Sequence, residues 1–257
     1  MISERSFAGS FSGFWAELLP LLTPNLVHMV DAAYKHSLVD GCGATVDPVP
    51  KGPQTRDAAV VAEFAFFLAK TAFCEKMAIE QCFAQEPLRA QAEVAAREVV
   101  AKYESGRDRS EGGLNQPELD EGLALARNYQ CFLDRRCGSE EVEFGPSIRG
   151  AGFLPACQGD LSIGNALFEV KTVERNLAGK DIRQIIVYLA LQYATGHRRW
   201  TTAGFMNPRR AVSYEFGVDE LVTQMSGGSS VPEVFRDLID FVCTRDLELD
   251  SPFLECR

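Results

Sequence analysis

The stretch Cys157-Gln158-Gly159-Asp160-Leu161-Ser162-Ile163-Gly164-Asn165-Ala166-Leu167-Phe168-Glu169-Val170-Lys171 decides the fold. Gly164-Asn165 is a two-residue turn signal between two strand-like runs. With those two residues as the loop, Ile163 pairs with Ala166, Asp160 lies opposite Glu169, and Gln158 lies opposite Lys171. Side chains alternate faces along a strand. Asp160, Ser162, Glu169 and Lys171 therefore share one face, with Leu167 as its apolar exception. Leu161, Ile163, Ala166, Phe168 and Val170 take the other. Two carboxylates directly opposite one another repel. A divalent cation and the Lys171 ammonium are the expected compensation.

Gly159-Asp160, eight intervening residues, then Glu169-Val170-Lys171 resembles the PD-(D/E)xK phosphodiesterase superfamily, with Gly159 where a proline is usual. A following helix over about 180–196 carries Gln184 and Tyr188 one turn apart, as in some branches of that superfamily. The resemblance covers roughly residues 140–217. It implies an α/β fold with a mixed-sheet, PD-(D/E)xK nuclease-like core and a long helical N-terminal half. Residues 1–137 form that half, packed on or beside the core, and 138–257 form the core with a C-terminal helix.

By the same resemblance the chain is a metal-dependent endo- or exonuclease. Asp160, Glu169, Lys171 and Gln184 are the catalytic set. Asp160, Glu169 and the Val170 carbonyl hold Mg²⁺ or Mn²⁺, the metals suited to hard oxygen ligands. Members often add an acid from a preceding helix, and Glu63, inside an almost wholly apolar run, is the candidate. Glu118 and Glu121 are next in line. A non-catalytic DNA-binding or partner-binding subunit is the alternative. The setting implied is prokaryotic restriction or phage defence, with a homo-oligomer or a defence-system partner protein left open.

The charge pattern bears on partners. The 257 residues carry a net charge of −10, which argues against a general nucleic-acid coat. Residues 171–210 nevertheless hold eight Lys or Arg against Glu174 and Asp181. A positive stretch beside an acid pair suits a phosphate-bearing substrate, DNA foremost. Arg183, Tyr188, Arg209 and Arg210 are the candidate substrate contacts. The rival reading of the stretch is a solvated helix face.

The rest of the chain supplies scaffold. A composition of 46% hydrophobic and 24% charged residues is that of an ordinary globular protein. Helices are expected over Phe14–Val39, broken or kinked early by Pro20 and Pro24, and over Arg56–Gln81, Gln85–Tyr103, Pro117–Cys137 and Val231–Asp246, with a short one at Asp219–Met225. Residues 1–13 read as irregular, and Asp40–Gln54 and Glu104–Gln116 as loops. Further strands are expected at Val142–Ile148, Trp200–Met206 and Ala211–Phe216. Eight scattered cysteines without zinc-like spacing read as thiols of a reducing, cytoplasmic compartment. No secretory signal or membrane span is expected.

Overall fold

The computed structural model describes residues 1–39, 46–103 and 112–245. Parts of the loops expected at Asp40–Gln54 and Glu104–Gln116, the end of the closing helix at Asp246, Cys42 and Cys256 lie outside the described residues. The elements in chain order are α1 (Glu4–Gly9), α2 (Ser12–Leu18), α3 (Pro24–Ala33), β1 (Lys35–Ser37), α4 (Ala58–Cys74), α5 (Ile79–Ala84), α6 (Glu86–Tyr103) and α7 (Gln116–Arg136). Then follow β2 (Val142–Phe144), β3 (Ser147–Ile148), β4 (Cys157–Gln158), β5 (Leu161–Ile163), β6 (Ala166–Val170), α8 (Gly179–Tyr193), β7 (Thr202–Asn207), β8 (Val212–Gly217), α9 (Val218–Ser226) and α10 (Val231–Thr244).

The fold is mixed α/β. Six strands form one sheet in the order β1-β8-β7-β6-β5-β2. All neighbours are antiparallel except β6 and β7, which run parallel across the α8 connection. A parallel pair needs a crossover, and α8 supplies it. Alternation along the strands divides the core in two. Leu167, Ala203, Phe205, Tyr214 and Phe216 pack with residues of α1–α3 and α8–α10. Leu161, Ile163, Ala166, Phe168 and Met206 pack with residues of α4–α7. Both faces are thus covered, and the hairpin is a central element with no solvated side.

Local chemistry sets the boundaries. Gly164 takes φ +54° at the first loop position, a conformation that favours glycine. Asn115 and Glu118 cap α7 reciprocally, each side chain accepting from the other's amide at 2.9 Å. Asp181 reaches back to the Ala178 amide at 2.9 Å and starts α8.

Four expectations need correction. Residues 1–13 are not irregular throughout, because the Ser3 hydroxyl accepts from the Ser6 amide and opens α1. Phe14–Val39 breaks between Leu18 and Pro24, as its prolines imply, but does not stay helical to Val39. Thr23 caps a new helix with Pro24 in its first turn, and Lys35–Ser37 leaves helix to pair with Val212–Tyr214. Partner strands override local propensity there. Arg56–Gln81 breaks after Cys74, with Lys76 at φ +53°. Val142–Ile148 splits at Gly145-Pro146 into β2 and β3, which belong to different sheets. The N-terminal half is also more than a neighbour of the core, since it contributes β1 to the sheet and helices to both faces.

Gly204 lies mid-strand in β7, where an added Cβ would come 2.1 Å from the Tyr214 carbonyl oxygen and 2.6 Å from the Phe168 ring. Gly204→Ala should therefore cost about 1–3 kcal/mol or more through forced repacking. A fall in the urea midpoint measures it, and an unchanged midpoint would contradict the close approach.

Candidate active site

The β5–β6 register places the acids. Ile163 pairs with Ala166 and Leu161 with Phe168, so Asp160 immediately precedes β5 beside Glu169 of β6. The pairing goes no further. Gln158 pairs with Ser147 in the small β3–β4 sheet and does not face Lys171. Released from the ladder, Asp160 turns its Oδ2 onto the Val170 amide, which donates at 2.7 Å. Gly159 donates its own amide to the Pro146 carbonyl at 3.0 Å, a bond that proline at that position could not make.

Glu169 is 1% exposed. Its Oε1 accepts from Lys171 Nζ at 2.9 Å, while its Oε2 is buried without a hydrogen-bond partner. An orphaned carboxylate oxygen is costly. Burial, reinforced by the Glu169 charge, pushes Asp160 well above the usual aspartate range, against the pull of the Val170 amide, Arg5 and Lys171. Glu63 is half-buried, and burial raises its carboxyl too; it also senses both Arg5 and Glu169. Tyr129, buried on α7, lies in the field of Glu63 and Asp160.

A directed chain runs from Lys171. Its Nζ also donates to Gln184 Oε1 at 2.7 Å. Gln184 Nε2 meets Tyr188 Oη at 2.8 Å, and Tyr188 Oη meets Glu4 Oε1 at 3.2 Å. Glu4, when ionised, only accepts, so Tyr188 donates to it and accepts from the Gln184 amide nitrogen. That fixes the Gln184 oxygen toward Lys171. Two acceptors, Glu169 Oε1 and Gln184 Oε1, thus hold the head of Lys171 in place.

The polar stripe of α8 is therefore buried, with Asp181, Gln184 and Tyr188 each no more than 3% exposed. Asp181 belongs to a different interaction, a two-pronged bond from Arg175 at 2.6 and 2.8 Å. Glu4 and Arg5 were missed by sequence reasoning. Arg5 Nη2 stands 3.9 Å from Glu169 Oε1. Their one sequence signal is the Ser3 cap before them, since a six-residue helix is too short for periodicity to reveal.

Three of the expected substrate contacts are engaged within the protein. Arg183 donates to the Ala8 carbonyl and lies over the Trp15 ring, holding α8 to the N-terminal helices. Arg209 is 4% exposed and ion-pairs with Glu121 at 2.7 Å. Tyr188 is buried in the chain just described. Arg210 contacts Tyr214 and, with Lys171, Arg175 and Asn207, lines a small cavity beside the site. Arg198 and Arg199 pair with Asp219 and Glu143. The positive stretch thus serves mostly internal ion pairs, neither a free phosphate grip nor a plain solvated face.

Glu118 and Glu121 are structural. Glu121 holds Arg209, Thr55 and the Gly52 amide. Burial would raise Glu118, but Arg56 and three backbone amides hold it down at about 2. Among the described residues no three His, Cys, Asp or Glu side chains gather as a ready metal cage. What fits a hard cation is the orphaned Glu169 Oε2 beside Asp160. Cys74, Cys82, Cys137, Cys157 and Cys243 are free thiols. No helix among the described residues is long and apolar enough to cross a membrane.

Comparison of the chain with models of known families, with curated proteins and with solved structures finds no match.

Two outcomes follow from this electrostatics. Asp160→Asn, free of divalent metal, should melt above wild type at pH 7, by about 1 kcal/mol, because it removes a carboxylate set against Glu169. The advantage should shrink as pH falls and wild-type Asp160 takes up its proton. A lower melting point at pH 7 would contradict the repulsion. Glu118→Gln should do the opposite. The Glu118 carboxyl sits at about 2 against an ordinary 4.5, so its stabilisation is complete above 4.5 and is lost as pH falls toward 2. Denaturant titrations should show a cost of up to about 3 kcal/mol at pH 7 that fades below pH 4.

Proposed function

We propose that the chain is a divalent-metal-dependent nuclease of PD-(D/E)xK type that hydrolyses phosphodiester bonds of nucleic acid, DNA foremost. The observation that carries this reading is the buried Glu169, one oxygen orphaned and the other on Lys171, with Asp160 set against it at the sheet's edge of pairing. A structural protein gains nothing from such a pair, and perturbed acids cluster at functional sites. The order strand, hairpin, helix, strand and the position of Gln184 beside the acids add support.

Asp160 and Glu169 are the residues that would hold Mg²⁺ or Mn²⁺, which supplies charge neutralisation at the phosphate and acidifies water. The chain's own groups do the rest. The Val170 amide fixes the Asp160 carboxylate through its Oδ2. Lys171, held by Glu169 and Gln184, stabilises negative charge building on the phosphate oxygens. Glu4, Tyr188 and Gln184 keep the ammonium aimed. With Arg183 and Arg209 engaged internally, α8 and the 207–210 turn are scaffold rather than grip.

The test is purified protein with Mg²⁺ or Mn²⁺ on plasmid and on single-stranded DNA, with and without EDTA. Wild type should cut only with metal. Lys171→Ala should lose cleavage by roughly 100-fold or more while DNA binding changes little, since a contact made in the transition state leaves ground-state affinity alone. Mg²⁺ or Mn²⁺ should also raise the melting temperature of wild type and not of Asp160→Asn. DNA binding without cleavage under any metal would favour the non-catalytic subunit.

A further inference from the structure

We propose that Arg5, on the N-terminal helix α1, is a phosphate-contacting residue of this site, reaching the phosphodiester group held at Asp160 and Glu169. The inference rests on the nuclease reading and adds to it a residue far from the hairpin in sequence.

The argument begins with how the other arginines near the site are used. Arg175 is bound to Asp181, Arg183 to the Ala8 carbonyl, Arg209 to Glu121 and Arg210 to Tyr214. Arg5 differs. Its carboxylate neighbours, Glu4 and Glu169, both stand at 3.9 Å, beyond hydrogen-bonding distance. No hydrogen bond from its guanidinium occurs among the described residues. Its side chain is 62% exposed, yet it approaches a Glu169 side chain that is wholly buried. It therefore stands beside Glu169 within ion-pair range, with none of its donors hydrogen-bonded among the described residues.

Placement is not accidental mobility of a terminus. Phe7, two residues on, is fully buried among Phe11, Trp15 and Phe153. The Ile2 amide donates to the Phe153 carbonyl at 3.3 Å, and Glu4 is held by Tyr188. α1 is thus fastened on both sides of Arg5, while the Arg5 guanidinium itself has only its two ion pairs at 3.9 Å. A guanidinium offers a planar fork of donors that matches two phosphate oxygens, which an ammonium does not. The same charge next to Glu169 should also oppose cation entry slightly. Removing it should leave metal binding equal or tighter, an effect opposite to collapse of the site.

The experiment compares wild type, Arg5→Ala and Arg5→Lys in single-turnover cleavage of a labelled DNA oligonucleotide with Mn²⁺, with oligonucleotide binding measured in Ca²⁺ and Mn²⁺ binding measured by calorimetry. Arg5→Ala should slow cleavage by roughly 100-fold, bind the oligonucleotide more weakly, bind Mn²⁺ no less tightly and keep its melting temperature. Arg5→Lys should fall between. If wild type cuts and Arg5→Ala cuts equally well, the Arg5 role is overturned and the nuclease reading stands. If Arg5→Ala loses Mn²⁺ binding or melts far lower, Arg5 merely supports the fold and the proposal fails. If wild type binds the oligonucleotide in an Arg5-dependent way but never cuts, the phosphate contact stands and the nuclease reading falls. If wild type neither binds nor cuts, both fall.

Discussion

The structure turns on a single buried carboxylate. Glu169 occupies the central β6 strand, with helices on both sides of the sheet, and only one of its oxygens is satisfied. Everything near it is arranged around that charge. Lys171 comes from just past the end of the same strand, Asp160 from just before β5, Gln184 from the crossover helix and Arg5 from α1. A buried ion pair is weak evidence for stability, because desolvation offsets much of the attraction. Here an extra acid and an orphaned oxygen make the balance worse. Such a cost is understandable where the arrangement serves a ligand or a reaction.

The helices give that arrangement rigidity. α8 both completes the β6–β7 crossover and presents Gln184, so the fold's topology and the site's polar chain depend on one element. Its apolar stripe, Ile182, Ile185, Ile186 and Leu189, is buried, and its polar stripe is buried as well. Buried polar groups must find partners. Gln184 and Tyr188 find them in series, ending on Glu4. The hydrogen-bond direction along that series is set by chemistry at its two ends, an ammonium that can only donate and a carboxylate that can only accept.

The sequence discloses what is local. Gly164-Asn165 specified the hairpin and hence the neighbourhood of Asp160 and Glu169, because a two-residue turn leaves little choice of register. The spacing of Gln184 and Tyr188 placed both on one helix face. What was not legible depends on contacts across the chain. Nothing local to Lys35–Ser37 says that it pairs with β8. Nothing in the run of arginines after Lys171 says that Glu121 or Asp219 lies waiting for them. A positive stretch reads the same whether its partners are solvent, phosphate or remote acids. Glu63 was legible as an acid within an apolar helix, but not its distance from the pair.

The joining of α1 to α8 has a consequence for how the chain comes to be. Glu4 and Tyr188 are 184 residues apart, yet their bond ends the polar series that aims Lys171. Strand β1 likewise closes its sheet edge on β8, near the far end of the described chain. Contacts between such distant residues form late, since the intervening loop must first lose its freedom. During synthesis, α1 leaves the ribosome long before its docking surface exists. The acid pair can form with the hairpin, but its full polar surroundings wait for α8 to be made and α1 to return. Completion of the centre is thereby tied to completion of the fold, and a half-made chain holds its carboxylates in an unfinished setting.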